Sequence, residues 1–306
     1  MGFRRDRVIW PKNFDMLFGL YFSHANQSVL KFLRSRSNEE LVHVLEENAE
    51  KLRLVYDLLT DRKSKDLLMA KLAFLMRSQN MELFRELMMD FSEPISEFGL
   101  IPFPDLGPEN YFYFNNDVFS LGPDEVFVDV GAFDGDSVTA FVQACRKNEL
   151  AYEHIYAFEP DPANYAALVK NTHAVKEISY HRLGVWSHSD LLRFQSSGKA
   201  FSTTASGIAE WGDIEIEVVS LDHLLGGKVV TLIKMDPPGS IIEKALKGAE
   251  NTISHYKPRL VLNAYDRLED IFEVPYLLNS LWPDYKLYLR HVSWTISETD
   301  LFALAP

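Results

Sequence analysis

A glycine-rich turn with carboxylates on both sides is the first feature of the sequence that could bind a ligand. An apolar run that carries Asp129 leads directly into Gly131-Ala132-Phe133-Asp134-Gly135-Asp136. Gly131 and Gly135 permit a tight turn and a close approach of the backbone to a ligand, and Asp129 could hold loop amides or a ligand ammonium group. The alternative is that Asp129, Asp134 and Asp136 only cap the following helix, because carboxylates stabilise helix N-termini.

An acidic residue after the next apolar segment indicates the kind of ligand. Glu159 lies between Phe158 and Pro160, 28 residues after Gly131. A carboxylate at this place commonly accepts hydrogen bonds from both ribose hydroxyls of an adenosine cofactor. Phe133 stands at the middle position of the usual G-x-G-x-G pattern, where a side chain crowds a pyrophosphate. The residues therefore predict S-adenosylmethionine, which carries adenosine and a cationic sulfonium but no phosphate.

The run Asp236-Pro237-Pro238 predicts how a methyl acceptor would be held. It is similar to the Asp/Asn-Pro-Pro-aromatic motif of enzymes that methylate planar nitrogens. An amide nitrogen is a poor nucleophile because its lone pair is delocalised into the carbonyl. The Asp236 carboxylate and a carbonyl held by the prolines would accept its hydrogens and draw it toward pyramidal geometry. Equally, the prolines could simply start the next helix.

The acceptor site also needs an aromatic ring, because Gly239 stands where those enzymes place one. The rings that could replace it are Trp186, Phe201, Trp211 and Tyr265.

Two kinds of sequence pattern divide the chain into parts that would position these residues. Helical spacing runs through residues 13–91, and four prolines between 94 and 108 mark a linker. Short strands alternate with helices after residue 121, which predicts an α/β fold with a mostly parallel sheet. We expect a helical N-terminal domain over 1–120 and a catalytic domain over 121–306, with ligands at the carboxyl ends of the strands.

Three finer expectations accompany this division. Residues 178–186 read as one strand, and residues 241–253 read as one helix. The aromatic run 111–114 is either a lid over a ligand or a seal between the two parts.

Composition and charge exclude several functions. The 306 residues include 31 Lys and Arg and 44 Asp and Glu, a net charge of −13, and residues 121–306 hold 16 basic against 26 acidic side chains. Such an excess argues against binding nucleic acid or an anionic membrane. With one cysteine and no apolar run of about 18 residues, the chain is expected to be cytoplasmic. The histidines show no ligand spacing, which predicts no metal site.

Five sequence blocks resemble the FkbM family of methyltransferases, in the order in which that family carries them. They are 128–136, 156–161, 233–236, 245–250 and 256–258, and the closing block 298–303 fits as well. The resemblance covers roughly 124–306 and implies a class I, Rossmann-like S-adenosylmethionine-dependent methyltransferase with a seven-stranded sheet. The predicted cofactor-binding residues are Asp129, Gly131, Ala132, Phe133, Asp134, Gly135, Asp136, Glu159, Pro160, Val185 and Trp186, although Trp186 could equally belong to the core.

The acceptor side departs from the family. Most relatives have an apolar residue, Glu and Gly after Lys-Met-Asp, whereas here Pro237 and Pro238 follow Asp236 and the Glu is absent. With Asp236, Pro237 and Pro238 as catalytic residues, this favours N-methylation of an amide, with Asn side chains of a peptide natural product as one candidate. The candidate substrate-binding residues are Thr204, Ser206 and Tyr265.

Two alternatives to amide methylation stay open. One is O-methylation of a sugar or polyketide hydroxyl, and the other is a catalytically silent scaffold that binds the cofactor. In each enzymatic case the partner is a peptide or small molecule. The helical N-terminal part is a candidate surface for homo-oligomer formation.

Overall fold

The computed structural model describes residues 38–76, 112–114, 116–196, 207–208, 212, 214–237, 239–265, 267, 269–291 and 299–306. The strands are β1 (Glu125–Val130), β2 (Tyr152–Phe158), β3 (Ile178–His181), β4 (Gly184–Val185), β5 (Asp190–Gln195), β6 (Gly207–Ile208), β7 (Ile214–Val219), β8 (Leu232–Met235), β9 (Arg259–Asn263), β10 (Lys286–His291) and β11 (Thr299–Leu304). The helices are α1 (Asn38–Glu47), α2 (Ala49–Leu58), α3 (Arg62–Met76), α4 (Asp136–Lys147), α5 (Pro162–Asn171), α6 (Leu221–Leu225), α7 (Gly239–Lys247), α8 (Glu250–Tyr256) and α9 (Asp270–Leu281), and a 3₁₀ turn spans Phe112–Phe114.

A seven-stranded sheet forms the centre of the fold, in the order β10-β11-β9-β8-β1-β2-β3. The pairs among β3, β2, β1, β8 and β9 are parallel, and β11 runs antiparallel to both β9 and β10. Every residue of β1 is buried, as expected for a central strand covered on both faces. The predicted α/β fold with a mostly parallel sheet is confirmed, and the carboxyl ends of β1, β2, β8 and β9 meet at one edge.

A second, four-stranded sheet has the order β4-β7-β5-β6. The single strand expected over 178–186 is wrong, because the chain leaves the large sheet after His181 and joins the small one at Gly184. Gly184 is paired with Val218, and a Cβ on Gly184 would lie 2.9 Å from the Val218 side chain. The absent side chain therefore permits the crossing between sheets.

The single helix expected over 241–253 is also wrong, because α7 and α8 are separate helices. The chain breaks at Gly248, where a Cβ would lie only 1.9 Å from the carbonyl oxygen of Trp186. The backbone after β4 thus passes directly against Gly248, and only glycine leaves room for it.

Helices α2 and α3 pack against the large sheet. Val55, Leu59 and Leu67 belong to the same buried hydrophobic cluster as Val128 of β1 and Leu287 of β10. The division of the chain at residue 120 stays a prediction. No helix in the described part of the chain is long and apolar enough to cross a membrane.

The segment that joins α2 to α3 covers the edge strand β10. Thr60 N donates to Leu287 O at 2.8 Å, and Leu289 N donates to Ser64 Oγ at 2.9 Å. The buried Arg290 guanidinium binds Asp61 at 2.6 Å and Asp117 at 2.7 Å. The open hydrogen-bonding groups of an edge strand are thereby engaged by the chain itself.

The aromatic run 111–114 contributes to the core where the structure describes its side chains. Phe114 packs edge-on to Phe127 at 5.3 Å and to Phe141 at 5.4 Å between ring centroids, and Tyr113 is buried beside it. Both partners of Phe114 lie after residue 121, so this ring belongs to the core of the second part, and the choice between a lid and a seal stays a prediction.

Candidate active site

The glycine-rich turn between β1 and α4 is shaped by its contacts with neighbouring elements. Gly131 and Gly135 have φ angles of 78° and 89°, in the left-handed region that favours glycine. A Cβ on Gly131 would lie 2.9 Å from Asp236 O, and one on Gly135 would lie 2.5 Å from the Thr172 side chain. The sequence predicted this turn. Protein atoms, rather than open space, lie next to the positions that a Cβ on either glycine would take.

The Glu159 carboxylate holds this turn to the end of β2. Oε2 accepts a hydrogen bond from Phe133 N at 3.0 Å, and Oε1 accepts one from Asp161 N at 2.9 Å. The Asn164 side chain also hydrogen-bonds to Glu159. Glu159 is 6% exposed, and burial raises its pKa to about 7 despite these three donors. A carboxylate has about four acceptor positions, so with three donors in place Glu159 retains capacity for one further donor such as a ribose hydroxyl.

A buried ion pair lies beneath the turn. Asp129 is fully buried, and its oxygens contact Ser137 Oγ at 2.5 Å and Lys234 Nζ at 3.3 Å. Burial alone would lower the pKa of Lys234, but the carboxylates of Asp129 and Asp236 raise it above its ordinary value. Lys234 therefore stays protonated, with its ammonium 5.4 Å from the centre of the Tyr113 ring.

Asp129 thus contacts protein groups on both oxygens. Because burial raises the pKa of its carboxyl, the charged form depends on the Lys234 ammonium. The predicted contact of Asp129 with the cofactor stays a prediction.

Asp236 lies at the carboxyl end of β8, where its carboxylate joins β8 to β9. Its Oδ1 accepts from Asn263 Nδ2 and from the Tyr265 hydroxyl, each at 3.0 Å. Its Oδ2 lies 3.7 Å from Lys234 Nζ, and the side chain is 22% exposed. The same Asn263 Nδ2 also donates to Pro237 O at 2.9 Å. The two acceptors predicted for a substrate amide are therefore both engaged by a carboxamide of the chain itself.

The other predicted cofactor residues surround the turn at different depths. Ala132 is fully buried, Phe133 has a φ of 48°, and the Asp134 carbonyl accepts from Asn171 Nδ2 at 2.9 Å. Asp136 Oδ1 accepts from Ser137 N at 2.6 Å in the first turn of α4, but the N-cap of this helix is Gly135 and no side chain caps it, so capping by Asp136 is wrong.

Some of the residues predicted farther along the chain are described by the structure, and others lie outside the described part. Pro160 is half-buried beside Gly184, while Val185 is buried in β4 and Trp186 packs on the apolar cluster of the small sheet. The residues outside the described part are Pro238, Thr204, Ser206, Phe201 and Trp211. Pro237 is buried and precedes α7, which begins at Gly239.

Lys234 and Asn263 are site residues to which the sequence prediction gave no role. Asp129 is paired with Lys234 in the parallel register of β1 and β8, so strand alignment could have identified the ion pair. The signal for Asn263 was its position as a polar residue at the end of the apolar strand Arg259–Asn263. Among the described residues, no group of three or more His, Cys, Asp or Glu could hold a metal ion.

A match to a known family spans the residues of this site. A family model described as the Methyltransferase FkbM domain matches residues 129–289, which begin at Asp129 and include Glu159, Asp236 and Asn263. The chain belongs to the FkbM methyltransferase family. The match covers more than half of the chain, so the family resemblance of the sequence blocks is confirmed.

Solved structures agree with the FkbM assignment at the level of fold. The methyltransferase FkbM from Methylobacillus flagellatus KT is 24% identical with a TM-score of 0.66, over 85% of this chain and 60% of that one. The present FkbM chain thus spans less than two thirds of that protein. It has the class I methyltransferase fold.

More distant structures also match this FkbM chain. Fibrillarin from Aeropyrum pernix, solved with bound S-adenosyl-L-methionine, is 8% identical with a TM-score of 0.38, over 61% of this chain and 70% of that one. The ribosomal protein L11 methylase from Lactobacillus delbrueckii subsp. bulgaricus is 12% identical with a TM-score of 0.36, over 60% and 70%. No curated protein matches the sequence.

Proposed function

We propose that this FkbM protein transfers a methyl group from S-adenosylmethionine to an acceptor that lies against Asp236. The observation that carries the proposal is the Glu159 carboxylate, which two backbone N–H groups fix at the edge where β1, β2 and β8 end. Ligands of open α/β sheets bind at this edge. Family membership supports methyl transfer as the chemistry.

The residues around Glu159 fit an adenosine cofactor that lacks phosphates. Glu159 retains acceptor capacity for a ribose hydroxyl, and Phe133 rather than glycine occupies the centre of the turn. S-Adenosylmethionine would supply an electrophilic methyl group on a sulfonium. The chain's own contribution is to orient the acceptor, exclude water and accept a proton.

The geometry at Asp236 best supports a hydroxyl acceptor. Oδ1 already accepts two hydrogen bonds, from Asn263 and Tyr265, which use both of its lone pairs. Oδ2 is the oxygen left to orient an acceptor, and one oxygen suits a group with a single hydrogen such as a sugar or polyketide hydroxyl. The carboxylate could take the hydroxyl proton as the methyl group is transferred.

An amide nitrogen is the second candidate acceptor, and the Asn side chain of a peptide natural product is its most specific form. Its support is the spacing of Asp236 Oδ1 and Pro237 O, which accept hydrogen bonds from one carboxamide nitrogen at 3.0 and 2.9 Å. A substrate amide would have to replace Asn263 at these two acceptors.

Calorimetry with S-adenosylhomocysteine tests the cofactor assignment. We expect binding by the wild type and at least about tenfold weaker binding by Glu159→Ala, since hydrogen bonds to a charged group contribute about 1.5–3 kcal/mol each. Glu153→Ala, an exposed change on the same strand, is the matched control. Equal affinity of wild type and Glu159→Ala would remove the basis of the proposal.

Product analysis tests the acceptor. The enzyme is supplied with S-adenosylmethionine carrying a ¹³C-methyl group, with an Asn-containing peptide or a methyl glycoside as the probe. The carbon shift distinguishes a methyl group on oxygen from one on nitrogen. Nitrogen methylation would overturn the preference for a hydroxyl and support the second candidate.

A further inference from the structure

The carboxamide of Asn263 ties together the two groups that end β8. One nitrogen, Nδ2, donates to the Asp236 carboxylate at 3.0 Å and to the Pro237 carbonyl at 2.9 Å. Asn263 is 2% exposed and lies at the end of β9, adjacent to β8 in the sheet. Both hydrogens of the nitrogen are therefore used to hold a single turn.

The opposite side of that turn contacts the glycine-rich loop. Asp236 N donates to Val130 O at 2.9 Å. The position of a Cβ on Gly131 lies 2.9 Å from Asp236 O and 3.5 Å from Pro237 N. The Asp236–Pro237 peptide is thus held between Asn263 on one side and the loop that follows β1 on the other.

We propose that Asn263 is a positioning residue that fixes both halves of the active site at once. Toward the acceptor, it fills one lone pair of Asp236 Oδ1, so that Oδ2 faces the incoming group. Toward the cofactor, it holds the Asp236–Pro237 peptide against Gly131 and so fixes the position of the glycine-rich turn that follows β1. The inference rests on the proposed function, because it assigns a role within that same site.

Removal and replacement of the carboxamide tests this role. Asn263→Ala removes a group with the size of formamide and leaves the rest of β9 in place. We expect S-adenosylhomocysteine to bind this variant about five- to tenfold more weakly, since the turn loses hydrogen bonds to a charged and a neutral acceptor. Formamide at millimolar concentration should restore the affinity to within about twofold of the wild type by filling the same place. Formate, which has no N–H to donate, should not restore it.

The control is Asn251→Ala, which removes a second Asn–Asp contact far from the site. Asn251 Nδ2 donates to Asp222 Oδ2 at 3.0 Å. This variant should bind S-adenosylhomocysteine like the wild type, with or without formamide. Thermal melting of both variants separates a loss of folding from a loss of positioning.

The outcomes distinguish this inference from the proposed function. If the wild type does not bind S-adenosylhomocysteine, the proposed function fails. If the wild type binds and Asn263→Ala binds equally well, the positioning role is refuted. It is also refuted if folded Asn263→Ala binds weakly and formamide and formate have the same effect.

Discussion

The buried Glu159 carboxylate should make the stability of the protein depend on pH in a specific way. The perturbation is Glu159→Gln, which keeps the shape of the side chain and removes its charge. Burial raises the pKa of Glu159 from 4.5 to about 7 in the folded protein. The raised pKa means that the folded state favours the protonated form, so this contribution to stability is complete below the unfolded pKa of 4.5 and is lost as the pH rises through about 7.

The magnitude follows from the two pKa values. One pKa unit corresponds to about 1.4 kcal/mol, so the wild type should lose about 2.5 kcal/mol relative to Glu159→Gln between about pH 5 and about pH 8.5. The Gln side chain offers one acceptor for Phe133 N and Asp161 N instead of two. This defect costs about 1–3 kcal/mol but does not depend on pH, and it cancels when the two pH values are compared.

The assay is urea unfolding of both proteins without ligand, repeated across this pH range. Glu153→Gln, an exposed change on β2, supplies the matched control. The difference in the free energy of unfolding between this variant and the wild type should stay almost constant across the pH range. A difference between wild type and Glu159→Gln that stays constant with pH would refute the reasoning. It would show that Glu159 is ionised in the folded protein at the same pH as in the unfolded chain.

Three further predictions concern other parts of the molecule. Lys234→Met removes the ammonium on which the buried Asp129 carboxylate depends, so it should lower the free energy of unfolding by about 3–5 kcal/mol in urea titrations, while adding Asp129→Asn should recover most of the loss. Gly131→Ala forces a side chain into a left-handed conformation against Asp236, which should cost about 2 kcal/mol or more and weaken S-adenosylhomocysteine binding in calorimetry. Arg290→Met should cost about 2 kcal/mol and speed proteolysis of the segment joining α2 to α3, because the ionic contacts that hold it to β10 are lost. An unchanged free energy of unfolding in Lys234→Met or Gly131→Ala would contradict the role given to the contacts of that residue. An unchanged rate of proteolysis in Arg290→Met would contradict the role given to its ionic contacts.

The parts of the site that the sequence predicts are those encoded by short segments. The turn after β1 and Glu159 after β2 follow from local patterns, since strand ends of a parallel sheet meet at one edge. The alternation of strands and helices likewise predicts the layered fold. These features depend on few contacts between segments that are distant in the sequence. The family assignment and the seven-stranded sheet confirm the predicted fold.

Asn263 and the small sheet could not be predicted in the same way. Asn263 contacts Asp236 because β9 lies next to β8, and its apolar strand pattern does not specify that neighbour. Gly184 leads the chain into a second sheet because of its close contact with Val218. In both cases the deciding interaction joins segments whose proximity is set only by the complete fold.

The contacts of Arg290 also set an order of events during synthesis of the chain. Asp61 and Ser64 precede their β10 partners by 225 to 229 residues. At translation rates of about 5–20 residues per second, α2 and α3 exist for roughly 10 to 45 seconds before β10 leaves the ribosome. The surfaces of α2 and α3 that contact β10 lack their partner during that interval, so chaperones that bind nascent chains have a defined period in which to act on this segment.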